Sequence, residues 1–230
     1  MAVWVCPHCP QKSAERKIEK IQGLNRLYAY PCEPKFVNNG LVILDSGAFG
    51  LSHYGGKITF SYMQKLSAHY EKYYRDGVLC VAPDVLLNPH ETMMNFMKWH
   101  RSKLFPNISP VLQPDNDVYF SNELLLRQAE FYCTYSETVF VGVPKSLAMQ
   151  PNNLQFWEEL KSLKNMGYRW IHALGVGWTL QGIKEWANMP YLNSFDSIAY
   201  YTTRNVNAFG SLNPVKNVEE ILKWTKNISL

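Results

Sequence analysis

An α/β fold with a parallel sheet, closed as a single (β/α)8 barrel, is what this sequence predicts, and three observations carry it. Short apolar runs alternate with amphipathic helical stretches about eight times along the chain, the pattern of repeated right-handed βαβ units. Eight such units in 230 residues fit a small barrel, near the lower size limit of that fold, better than an open doubly wound sheet. No Gly-x-Gly-x-x-Gly follows the first strand, which counts against a dinucleotide-binding sheet.

Each element has its own reason. Val3, Trp4 and Val5 open as a strand that runs into Cys6-Pro7-His8-Cys9-Pro10. Residues 13–21 read as a helix, with Ser13 at the cap and Glu15, Arg16, Lys17, Glu19 and Lys20 on a solvated face. Residues 27–30 form a strand stopped by Pro31, and Asn38-Asn39-Gly40 turns the chain into the clearest strand, residues 41–44. After the Gly55-Gly56 loop, residues 59–74 place Tyr, Leu and Met on one helical side and Lys and His on the other. Strands are then expected at 78–82, 108–112, 138–142, 168–174 and 195–199. Helices are expected from Asn88 to about His100, and at 122–132, 153–166, 179–187 and 218–226.

A chain that is 47% hydrophobic and 18% charged can bury a sizeable core, and no composition shift divides it, so residues 1–230 read as one domain. Seven Trp, 14 Tyr and 11 Phe suit a site that stacks on planar bases as well as a core. The net charge of +4 is a mild basic bias, compatible with a nucleic-acid partner. No apolar run is long enough to span a membrane, and the N-terminus carries no signal-peptide pattern, so a cytoplasmic location is expected. Five Cys in a reducing compartment are then thiols or metal ligands.

Three carboxylates end apolar runs: Asp45, Asp84 and Asp196. One Asp on a strand is usually a satisfied structural group. Three at strand C-termini imply one shared site, because active sites of barrels lie at that end. Listing those ends gives Asp45-Ser46-Gly47, Asp84, Gln113, Gly142-Val143, Gly175-Val176-Gly177 and Asp196. The glycines let backbone groups approach a flat ligand. Asp and Gln side chains with a backbone pair supply the acceptors and donors that read the edge of a purine.

These residues resemble the tRNA-guanine transglycosylase family. Asp45-Ser46-Gly47-Ala48-Phe49 is similar to its Asp-Ser-Gly-Gly-Tyr/Phe motif, and Leu174-Gly175-Val176-Gly177 to its Met-Gly-Val-Gly segment. Phe195-Asp196-Ser197 through Thr203-Arg204-Asn205 is similar to its Phe-Asp-Cys-Val-x-Pro-Thr-Arg-Asn stretch. The resemblance implies that Asp196 is the nucleophile that forms a covalent glycosyl–enzyme intermediate, and that Asp45 handles protons. It implies that Phe49 stacks on the base, that Ser46, Asp84, Gln113, Gly142 and Gly175 line and read it, and that Leu174 forms the pocket floor. Arg204 would lie near the nucleic-acid backbone, and no cofactor or metal would be needed for the chemistry.

The chain also departs from the family. Its tRNA enzymes carry a C-terminal zinc module, whereas neither Cys nor His follows Asp196 here. Thr202 replaces a Pro, and His172 stands where a Tyr is usual. The pared-down pattern is closer to the phage and bacterial DNA-guanine transglycosylase relatives, which place a 7-deazaguanine such as preQ0 into DNA. DNA and a 7-deazaguanine base are therefore the expected partners, tRNA the alternative polymer, and a homodimer is compatible with the reading. If phage-encoded, the chain would work in the host cytoplasm.

Other features have blander readings. Cys6, Cys9 and Cys32 could form a zinc knuckle with one His, but a second Cys-x-x-Cys is missing, so free thiols or a rim loop are favoured. His90-Glu91 lacks the following His of a metalloprotease motif and reads as a helix cap. His53, His69 and His100 read as surface residues, Met93, Met94 and Met97 as core, and Cys80 and Cys133 as core. Lys145 could meet phosphate or simply be solvated; Tyr200 and Tyr201 could stack on a base or pack at the rim. Two competing functions are a catalytically silent nucleic-acid-binding subunit and a metal-dependent hydrolase using the three carboxylates, the latter disfavoured by the scarcity of His at strand ends.

Overall fold

Short runs, most of them apolar, form eight strands among the described residues: β1 Ala2–Val5, β2 Asn25–Ala29, β3 Val42–Asp45, β4 Val78–Cys80, β5 Val111–Leu112, β6 Thr138–Gly142, β7 Trp170–Leu174 and β8 Ser194–Ser197. The computed structural model describes residues 2–5, 17–18, 21, 24–36, 40–117, 121–149, 154–176, 180–197 and 214–225. All strand pairs are parallel, in the order β4-β3-β2-β1-β8-β7-β6-β5. Apart from β4 and β5, which end the series, sequential strands are neighbours, and the first strand lies beside the last. At the two ends of the series, Val81 just past β4 bridges Ser109 just before β5. There Ser109 N–H donates to the Cys80 carbonyl and Ala82 N–H to the Ser109 carbonyl, both at 2.8 Å.

Helices α1 Ala48–His53, α2 Phe60–Tyr73, α3 Pro89–Arg101, α4 Asn122–Tyr132, α5 Lys145–Met149, α6 Leu154–Asn165, α7 Leu180–Ala187 and α8 Pro214–Thr225 alternate with the strands from β3 onward. Side-chain caps set the starts of α2 and α3. Thr59 accepts from the Tyr62 N–H at the head of α2, and Asn88 from the Glu91 N–H at the head of α3. Glu91 in turn accepts from Asn88 Nδ2 at 3.1 Å, so the His90-Glu91 pair does sit in a cap, with Pro89 in the first turn.

Side chains alternate between the two faces of the sheet with a period of two. One face sends Val42, Leu44, Cys80, Leu112, Val139, Val141, Ile171, Ala173 and Phe195 against buried helix residues such as Leu66, Tyr70, Phe96, Leu125, Phe156 and Trp186. The other face gathers Leu27, Ile43, Val81, Val111 and Phe140, with Leu41, Leu79, Trp170 and Leu174 packed on them. Continuing the alternation past Ile43, Val111 and Phe140 puts Asp45, Gln113 and Gly142 on this second face. Asp196, next to the opposite-facing Phe195, joins them.

Several expectations need correction. The strand expected at 108–112 shrinks to Val111–Leu112, since Pro110 has no N–H for the ladder and Ser109 keeps only its bridge. Helices α1 and α5 were not expected, and α8 starts a turn earlier than expected, at Pro214. Of the helix expected at 13–21, Lys17 and Ile18 are helical and Ile21 is not, the rest lying outside the described residues. Met94 is 51% exposed because the buried face of α3 runs through Thr92, Asn95, Phe96 and Trp99, while Met93 and Met97 are half-buried at its margins. Cys133 is exposed just past the end of α4, where Tyr132 takes the inward position. Cys80 is buried as expected. His53 is exposed, whereas His69 and His100 are half-buried: His69 packs edge-on to Tyr30 and Tyr73, and His100 lies between Phe96 and Tyr135. No helix among the described residues is long and apolar enough to cross a membrane.

Candidate active site

Asp84, Ser46 and Gln113 form one hydrogen-bonded unit at the C-terminal ends of neighbouring strands. Ser46 Oγ donates to Asp84 Oδ1 at 3.0 Å, and Gln113 Nε2 donates to Asp84 Oδ2 at 2.6 Å. Gln113 is itself anchored through its backbone. Its N–H donates to Gln128 Oε1 and its carbonyl accepts from Gln128 Nε2, both at 3.0 Å. Gln128 comes from α4 and is fully buried. With Nε2 committed to the carboxylate, Gln113 Oε1 is buried and has no hydrogen-bond partner among the described residues. Gly142 lies against this amide: a Cβ there would stand 3.0 Å from Gln113 Oε1, so any side chain at 142 would crowd the amide.

Asp45 sits beside this unit. Its Oδ2 accepts from the Gly47 N–H at 3.0 Å. Gly47 has φ 75° and a Cβ there would lie 2.4 Å from the Tyr30 carbonyl oxygen, so this turn admits only glycine. Tyr62, from α2, closes the turn by donating its hydroxyl to the Ser46 carbonyl at 2.5 Å. Burial pushes the Asp45 carboxyl up to about 7, with the negative charges of Asp84 and Asp196 adding to it and the backbone N–H of Gly47 opposing it. Burial also raises Asp84, opposed by its hydrogen bonds from Ser46 and Gln113. Burial first, and then the charge of Asp45, raise the Tyr62 hydroxyl. The three strand-end carboxylates therefore share one electrostatic environment, in which one of them is held near neutrality.

Asp196 is buried on β8. Its Oδ1 accepts from the Gly175 N–H at 2.9 Å and lies 3.2 Å from His172 Nε2. The Gly175–Val176 segment follows β8 further, with Val176 N–H donating to the Asp196 carbonyl at 3.0 Å. Leu174 packs on the apolar cluster below, on the same sheet face.

The structure thus brings together Asp45, Ser46, Asp84, Gln113 and Gly142 on one side and Asp196 and Gly175 on the other, with Leu174 beneath. Phe49 stands apart: it is 69% exposed on α1 and stacks on His53, with ring centroids 6.4 Å apart. Lys145 is exposed at the start of α5. Arg204, Tyr200 and Tyr201 lie outside the described residues, as do Cys6 and Cys9; Cys32 is half-buried. Among the described residues no group of three or more His, Cys, Asp or Glu could hold a metal ion. His172, Ser194, Tyr62 and Gln128 were missed as site residues. The one available signal was His172, a lone imidazole inside an apolar strand.

No protein-family model matches the chain, and none of the curated proteins compared with it matches.

Proposed function

We propose that this chain is a base-exchange glycosyltransferase that replaces guanine in DNA with a 7-deazaguanine of the preQ0 type, through a covalent aspartyl–glycosyl intermediate on a closed (β/α)8 barrel. The Val81–Ser109 bridge supports closure, as does the apolar cluster that draws on β4 and β5 residues from both ends of the strand series. DNA as the polymer is carried over from the resemblance to the DNA-guanine transglycosylase relatives.

The observation that carries this reading is the Ser46–Asp84–Gln113 unit with one buried acceptor, Gln113 Oε1, that meets no donor among the described residues. A buried acceptor without a partner costs about 1–3 kcal/mol, which a ligand N–H recovers. Guanine presents two adjacent donors, its ring N–H and its amino group, either of which can meet that acceptor, and a flipped-out nucleotide can deliver that edge. The resemblance assigns Phe49 to stack on the base and Arg204 to the nucleic-acid backbone; Lys145, exposed just past the β6 end, is a second cation for phosphate.

In this reading the Asp196 carboxylate forms a bond to C1′ as the C1′–N9 bond breaks and its electron pair leaves with the base. Asp45, poised near neutrality, gives its proton to the departing base. The resulting carboxylate then takes the N–H proton of the incoming base, whose nitrogen attacks C1′ and returns the electron pair to Asp196. An Asp196→Asn variant should keep its melting temperature and lose base exchange, and a covalent adduct should form on DNA with the wild-type chain alone. Full activity in that variant would refute the nucleophile, and an adduct on tRNA alone would move the activity to that polymer.

A further inference from the structure

The two oxygens of Asp196 are not equivalent. Oδ1 accepts from the Gly175 N–H at 2.9 Å and faces His172 Nε2 at 3.2 Å, while the other ring nitrogen, Nδ1, lies 2.8 Å from Ser194 Oγ. Among the described residues Oδ2 has no such contact. His172 and Ser194 are fully buried. They sit directly opposite each other in the β7–β8 ladder, and Asp196 is two residues beyond Ser194, on the same face. The imidazole is also flanked by Phe140 of β6, with ring centroids 5.0 Å apart. Strand register therefore fixes a line running from Ser194 through the His172 ring to Asp196.

The polarity of that line follows from donor chemistry. A carboxylate only accepts, so Nε2 must carry the hydrogen that reaches Oδ1; a neutral ring then accepts at Nδ1, and the Ser194 hydroxyl donates to it. Two donors on Oδ1 withdraw it from reaction and hold the carboxylate in one orientation.

We infer that His172 and Ser194 are positioning residues that clamp Oδ1 of Asp196 and leave Oδ2 as the atom that attacks C1′. This rests on the reading of Asp196 as nucleophile given above. In the first half-reaction Oδ2 bonds to C1′ and the electron pair of the C1′–N9 bond leaves with the base. In the second, the incoming base bonds to C1′ and the Oδ2–C1′ pair returns to the carboxylate, with the donors on Oδ1 stabilising that returning charge.

The test uses the full chain. Histidine ¹⁵N NMR of the free protein should report His172 with its hydrogen on Nε2, and Ser194→Ala should shift that signal toward a mixture of tautomers. In base-exchange kinetics, His172→Phe should lower kcat about a hundredfold, on the scale known for loss of one donor to a developing charge. KM for the polynucleotide should change little. His172→Gln, which restores an N–H, should regain part of that loss, and Ser194→Ala should lie between them. Melting curves identify any variant that has lost its fold, and the wild-type NMR spectrum does not depend on the variants. Wild-type exchange that survives undiminished in His172→Phe and Ser194→Ala, or a hydrogen found on Nδ1, overturns this inference alone. Absence of exchange in the wild-type chain overturns the nucleophile reading and the inference with it.

Discussion

Ionising Asp45 inside the protein costs stability, and the cost depends on pH. An unfolded Asp titrates near 3.8, whereas the folded carboxyl is pushed up to about 7. Between those values the unfolded chain gives up its proton first, so rising pH shifts the equilibrium toward unfolding, and the penalty is complete above about 7. A gap of about three pH units is worth on the order of 4 kcal/mol. Asp45→Asn keeps an acceptor for the Gly47 N–H and carries no charge. It should melt higher than the wild type at pH 8 and close to it near pH 4, while losing base exchange. A variant that melts no higher at pH 8 would contradict this account of Asp45. At this scale the carboxylates and Gln113 were legible because each ends an apolar run, where an isolated polar group needs a reason. His172, Ser194, Gln128 and Tyr62 were not, because their partners lie 15 to 24 residues away and are chosen by strand register and helix packing.

Strand β6 reaches the site with a residue that has no side chain, and that absence shapes the pocket. At position 142 a Cβ would press on the Gln113 amide at 3.0–3.2 Å, and Asp84 already holds that amide at 2.6 Å on its other side. Gly142→Ala should therefore lower kcat/KM by roughly tenfold to a hundredfold through misplaced polar contacts, with little change in melting temperature. Steady-state kinetics alongside a thermal melt check it, and unchanged kcat/KM would show that Gln113 does not read the substrate. Periodicity found the long helices because they span several turns, and the Asn88–Glu91 cap was legible from local chemistry. The six residues of α1 and five of α5 are too short for a helical period to declare itself. Helix face, rather than spacing alone, decided that Met94 points outward.

At the scale of the whole molecule, the sequence implied parallel strands because helical stretches separate them, and the observed order follows that connectivity, with β1 lying between β2 and β8. It could not show how far each strand slides against its neighbour. That stagger is what lets Asp45, Asp84 and Asp196 share one field although the first and last lie 151 positions apart in the sequence. Under the proposed reading, the protein exchanges a base without cutting the chain that carries it. The direct measurement is mass spectrometry of nucleosides from DNA and from tRNA after incubation with isotope-labelled guanine or preQ0. The account predicts label in DNA nucleosides with the wild-type chain and none with Asp196→Asn; label in neither polymer, or equal label with that variant, would contradict it.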